Sequence, residues 1–147
     1  MTIITRHGSA SLHTRKDGSK RLFINGRLWM TNKEHEYQEH EPIKHMYGHL
    51  VLGGLGIGLA IELAKQNPAI TKITVIEKNE DVIELINTDV KVVHADVYDW
   101  VPNEPVDCVW LDIWVDRAGG TRSYLTKRYE EWAGVVLCWP SKWWAKN

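Results

Sequence analysis

From residue 49 onward, short apolar runs alternate with amphipathic segments, the pattern of βαβ units that build a parallel sheet. The runs occupy residues 49–52, 73–76, 90–93, 108–111 and 135–139. Between the first two lies a predicted helix over 57–66, closed by Asn67-Pro68. Between the next two lies another over 79–86, with Asn79 as its N-cap and Glu80 and Asp81 in its first turn. A third, over 121–132, precedes the last run and ends at Gly134, a residue type suited to a C-cap. Residues 1–31 show no helical period. They alternate polar with apolar residues, and Asp17-Gly18 and Asn25-Gly26 fall where hairpin turns belong. This segment reads as a short β meander. Residues 32–48 are charged and rich in histidine, and Glu41-Pro42-Ile43 predicts a helix of about two turns.

The expected architecture is therefore α/β: a Rossmann-like unit over 32–147 with a mostly parallel sheet of about five strands, preceded by the meander over 1–31. The 147 residues fit one domain, so whatever the chain binds must be gripped by one sheet and its loops. Eighteen basic residues against nineteen acidic leave a net charge of −1, which gives no reason to expect a nucleic-acid partner. The N-terminus has no apolar stretch of signal-peptide length, and no later run reaches the length of a membrane span. A cytoplasmic protein with no membrane partner is the expectation. Cys108 and Cys138 sit within apolar strand-like runs and read as small core residues without chemistry.

The candidate chemistry begins where the first strand runs into GGLGIG, Gly53 to Gly58, and then into a helix. Glycines there let the backbone turn sharply and approach a ligand closely. Gly54, Gly56 and Gly58 do not complete the pyrophosphate fingerprint of dinucleotide folds, because Leu59 stands where a small residue is required. That spacing argues against a nicotinamide-dependent oxidoreductase. Glu77 ends the second strand, 23 residues beyond Gly54, where a ribose diol would seek an acceptor. Asp96 follows the third strand, placed for an adenine amino group, and Asp112 follows the fourth, facing whatever reacts. One acid after a strand is ordinary. A glycine loop and three acids at corresponding strand ends point to a nucleoside at the carboxyl edge of the sheet.

The stretch LFINGRLWMTNKEHEYQE, Leu22 to Glu39, followed by VLGGLGIG and TVIEKNEDVIEL, resembles spermidine synthases, aminopropyltransferases built on the class I S-adenosylmethionine-dependent methyltransferase fold. The resemblance runs through residues 22–112 in order and is most specific at Tyr37-Gln38-Glu39. It implies S-adenosylmethionine, or its decarboxylated form, as co-substrate without a metal. Glu77 and Asp96 then match the residues that hold ribose and adenine. Tyr37 and Gln38 match positions lining the sulfonium and amine pocket, and Asp112 the aspartate that acts on the attacking amine. The sequence departs from the family at several places: Gly56 replaces an aspartate in the glycine loop, Trp29 replaces a glutamine, and IWVDRAGG follows Asp112. It also ends after about five strands, truncated before the C-terminal portion that completes the family's polyamine pocket.

Histidines at 35, 40, 45 and 49 raise a metal site, but the spacings of five among the first three turn successive side chains about 140° apart on a helix, and Gly48 with the start of a strand intervenes between His45 and His49. Solvent or a pocket rim is their expected place. Trp139, Trp143 and Trp144 crowd the C-terminus, and with a last strand that forms a sheet edge they suggest a homo-oligomer. The expectation is a transferase moving a methyl or aminopropyl group from the sulfonium to a small nucleophile. Catalysis would fall to Asp112 and Tyr37, and donor binding to Gln38, Gly54, Gly56, Gly58, Glu77 and Asp96. A non-catalytic nucleotide-binding module, and an enzyme that cleaves S-adenosylmethionine without an acceptor, remain alternatives.

Overall fold

The structure, a computed structural model, describes residues 1–33, 38–112 and 120–138. Strands β1 (Thr2–His7), β2 (Ala10–Arg15), β3 (Lys20–Ile24) and β4 (Arg27–Thr31) form an antiparallel sheet in that order. The expected meander is present. Asn25 and Gly26 both take positive φ, 52° and 76°, as the tightest hairpin turn demands. Gly18, at φ 87°, closes the turn after Asp17.

Five further strands build the predicted parallel sheet: β5 (Gly48–Gly53), β6 (Ile70–Glu77), β7 (Lys91–His94), β8 (Cys108–Leu111) and β9 (Val135–Cys138). Their order is β7-β6-β5-β8-β9, so the winding reverses beside β5. In open α/β sheets that reversal opens a crevice at the carboxyl ends of the strands. Residues 49–53 of β5 are all buried because helices cover both faces. Leu50, Leu52, Cys108 and Trp110 face one core with α1 (Leu59–Lys65). Val51, Val109 and Leu111 face the other, with Leu125 and Tyr129 of α3 (Gly120–Glu130).

α2 (Glu80–Ile86) starts as expected, the Asn79 side chain accepting the Val82 amide, and ends at Asn87 with φ 47°. The Asp81 carboxylate in its first turn clamps the β1–β2 turn. It accepts the Ser9 amide at 2.9 Å and the Ser9 hydroxyl at 2.7 Å, and lies 3.3 Å from His7 Nδ1. These bonds hold the Asp81 carboxyl below the usual carboxylate range, the Ser9 amide contributing most. Behind the clamp, Ala10 and Leu22 of the meander join Val82 in the core.

Several boundaries differ from expectation, among them the start of β6 at Ile70, three residues before the predicted run. α1 begins at Leu59 instead of 57, because Gly58 is left-handed at φ 84° and serves as its N-cap. Pro42 opens a 3-10 turn of five residues, Glu41–His45, in place of a two-turn helix. The chain there must reach β5 through Met46 in extended conformation and Gly48 at φ 66°. α3 ends at Glu130, and the Trp132 and Ala133 amides close on the Tyr129 carbonyl, so Gly134 is not its cap. Residue 139, predicted to end the last strand, lies outside the described residues.

The two cysteines are buried and unbridged, and burial pushes the Cys108 thiol up. Among the described residues no helix is long and apolar enough to cross a membrane.

Candidate functional site at the carboxyl edge of the parallel sheet

The glycine loop between β5 and α1 is tied to the strands on either side. Gly54 donates its amide to the Ile76 carbonyl of β6 at 2.8 Å, and the Gly53 carbonyl accepts the Asp112 amide at 2.7 Å. Gly54, Gly56 and Gly58 take φ values of 106°, 51° and 84°, a run of left-handed backbone that side chains other than hydrogen strongly resist. Gly56 has a second constraint, since a Cβ there would lie 2.4 Å from Met30 Sδ. Met30 of β4 therefore walls the loop, and the aspartate of the resembled family could stand at 56 only by displacing the Met30 side chain. Trp29, where that family carries a glutamine, is exposed.

Glu77 is half-buried at the end of β6. Its Oε1 accepts the Leu55 amide of the loop at 2.9 Å and its Oε2 accepts the Asn79 amide at 2.9 Å. Each carboxylate oxygen keeps a lone pair for a further donor. The loop also spends the Gly58 amide on the Leu55 carbonyl. The amides of Gly56 and Ile57 are left without a partner among the described residues.

Asp96 lies two residues past β7, joined to Glu77 through the Ala95 amide, which donates to the Glu77 carbonyl at 3.1 Å. Its Oδ1 accepts the Tyr98 amide at 2.9 Å, which rigidifies the turn that carries it. α3 anchors that turn: Tyr129 donates its hydroxyl to the Val97 carbonyl at 2.6 Å, and Arg128 Nε to the Tyr98 carbonyl at 2.9 Å. Burial pushes the Tyr129 phenol up to about 12. The exposed rings of Tyr98 and Tyr124 stack beside it, 5.8 Å apart.

Asp112 follows β8 directly and is 14% exposed. His40 Nε2 lies 2.9 Å from its Oδ2, and the His40 side chain is wholly buried. For His40 this corrects the expectation of solvent or a rim, and His35 lies outside the described residues. His49 is also buried, bonded to the Pro105 carbonyl and the Thr74 hydroxyl, while His45 is exposed. No group of three or more metal-ligating side chains occurs among the described residues. The His40–Asp112 pair joins positions 72 apart; no local spacing announces it.

The structure thus brings the glycines, Glu77, Asp96 and Asp112 to one edge. Gln38 is exposed and bonds to no other described residue, and Tyr37 lies outside the described residues. With two amides that have no partner among the described residues, two acids at adjoining strand ends and an Asp112 oxygen that bonds to no described residue, the edge can cradle a polar ligand and accept a proton.

No family model matches the chain, and no curated protein matches it in sequence. Solved structures do match in fold. Spermidine synthase from Thermotoga maritima superimposes with a TM-score of 0.55 at 16% identity, over 72% of this chain and 46% of that one. The 23S rRNA methyltransferase ErmE gives 0.54 at 15%, over 73% and 45%. The plantazolicin methyltransferase BpumL in complex with SAH gives 0.52 at 15%, over 73% and 49%. The chain spans about half the length of each. Its fold is the Rossmann-like methyltransferase fold shared by spermidine synthase and class I methyltransferases, as the sequence resemblance implied.

Proposed function

We propose that this chain binds S-adenosylmethionine, or its decarboxylated form, across the carboxyl edge of the parallel sheet. It then moves a methyl or aminopropyl group from the sulfonium to a small nucleophile, in the cytoplasm. The observation that carries the reading is the closure of one left-handed glycine loop between Glu77 on β6 and Asp112 on β8. In this reading the Gly56 and Ile57 amides meet the donor's polar end, Gly54 and Gly58 shape the turn, and Glu77 and Asp96 take ribose and adenine. Tyr37 and Gln38 border the sulfonium.

Transfer from a sulfonium is an in-line displacement: the bond from nucleophile to carbon forms as the carbon–sulfur bond breaks, leaving a neutral thioether. The chain's work is alignment of the two reactants and removal of the nucleophile's proton, which Asp112 takes on a carboxylate oxygen. The reading needs no metal and no nucleic-acid partner, and it includes a homo-oligomer whose neighbouring subunit completes the acceptor side. Sedimentation of the full chain as a monomer at micromolar concentration would remove that last element.

A second reading, a nucleotide-binding module without catalysis, draws on Gln38 and Glu77. Gln38 stands in solvent, and two amides already occupy the Glu77 carboxylate. Calorimetry with S-adenosylmethionine, its decarboxylated form and methylthioadenosine, followed by chromatography of the incubated mixtures, separates the two. Donor binding with product formation supports the transferase, with Asp112→Asn expected to lower turnover about a hundredfold or more. Binding without product supports the module, and no binding of any of the three ends both.

A further inference from the structure

We infer that His40 is the positioning residue of Asp112, fixing one carboxylate oxygen so that the other meets the nucleophile. The inference rests on the transferase reading above and adds a residue to it. Trp110 and Asp112 are two apart at the end of β8, so their side chains leave the same face of the sheet. His40 touches both. Its ring packs against the Trp110 indole, with centroids 5.4 Å apart at 53°, and its Nε2 reaches Asp112 Oδ2 at 2.9 Å. The His40 carbonyl accepts the Ile43 amide at 3.1 Å as the 3-10 turn begins, which ties the backbone behind the ring.

A carboxylate only accepts hydrogen bonds, so the Nε2 atom carries the hydrogen and donates it. The Asp112 backbone is fixed in turn by its amide bond to the Gly53 carbonyl. With main chain and Oδ2 both held, the carboxylate cannot rotate, and Oδ1, which bonds to no described residue, is the oxygen left for a ligand. During transfer the proton leaving the nucleophile goes to Oδ1, while the Nε2–H bond persists on Oδ2. Orientation of this kind acts on turnover more than on donor binding.

The test compares the full chain with His40→Gln, whose amide N–H replaces the donor, and His40→Phe, which keeps a ring against Trp110 but has none. Decarboxylated S-adenosylmethionine offered with an aliphatic diamine, and S-adenosylmethionine offered alone and with the same diamine, are followed by chromatography. S-adenosylhomocysteine binding is measured by calorimetry. The expected result is unchanged binding in all three proteins, a kcat lowered about a hundredfold in the Phe variant, and a kcat near wild type in the Gln variant. Equal losses in both variants, or binding lost in step with turnover, overturn the inference and leave His40 as packing. Nitrogen NMR of the His40 imidazole gives a readout that needs no turnover: an Nε2–H tautomer whose shift moves in Asp112→Asn supports it, and an unmoved shift overturns it. Should the wild-type chain neither bind nor consume a donor, the transferase reading falls, and the nitrogen shift alone decides whether His40 orients Asp112.

Discussion

Gly56 and Gly58 are the same residue type held by different constraints. At Gly58 the nearest atom to an added Cβ is Ile86 Cγ2 at 3.8 Å, so only the left-handed backbone resists a side chain. Gly58→Ala should therefore lower stability by about 1 kcal/mol, read as a shift of the urea midpoint. Gly56→Ala carries that strain and also drives its methyl into Met30 Sδ, so it should lose more. Pairing it with Met30→Ala should recover the excess and no more, and a double-mutant cycle with zero coupling would show that Met30 does not wall the loop. The acids Glu77, Asp96 and Asp112 were legible in the sequence because each sits within two residues of a strand end, and the glycines because they fill the short loop between β5 and α1. Strand ends can be read from local hydropathy. His40 was not legible: its partner lies 72 positions away, and only the packing of the turn before β5 against β8 brings them together.

Among the elements, α3 fastens part of the edge and α2 fastens the meander. α3 holds the turn bearing Asp96 through the buried Tyr129 hydroxyl. Tyr129→Phe strands the Val97 carbonyl and should lose about 1–2 kcal/mol in urea unfolding. The phenol's folded value is raised, so its contribution is intact below the ordinary tyrosine range and is lost as pH climbs through about 12. The Phe variant should lack that alkaline loss. α2 holds the meander through Asp81, whose carboxyl is depressed by the Ser9 amide before any other cause. The sign is then opposite: the clamp is present above the ordinary carboxylate range and fails as pH falls through the lowered value. Comparing urea midpoints at neutral pH and near pH 3 (about one unit below an ordinary aspartate), Asp81→Asn should show a smaller acid loss than the wild-type chain.

Apart from β6, which starts three residues before its predicted run, the described parallel strands match the apolar runs to within a residue, since continuous apolar runs mark a sheet covered on both faces. The ends of α1, of α3 and of the turn at Pro42 were not legible in this way, because they depend on a few backbone angles. Gly58 turns left-handed and delays α1, and the extended Met46 and left-handed Gly48 stop the turn opened by Pro42.

For the molecule as a whole, fold likeness and site geometry converge on one measurable quantity. A ligand that binds only the folded chain adds stability by mass action, about 2.7 kcal/mol at a hundredfold excess over its Kd. For a domain of this size S-adenosylhomocysteine at that level should raise the melting temperature by several degrees, roughly 5–10 °C, while a nicotinamide dinucleotide at equal concentration should not. A shift with both would reassign the crevice to adenosine in general. The carboxylate of Glu77 meanwhile has a standing occupation within its own chain, spanning the Leu55 and Asn79 amides. Selection for folding alone would keep an acid there. In a descendant that had abandoned its chemistry, Glu77 would outlast the site.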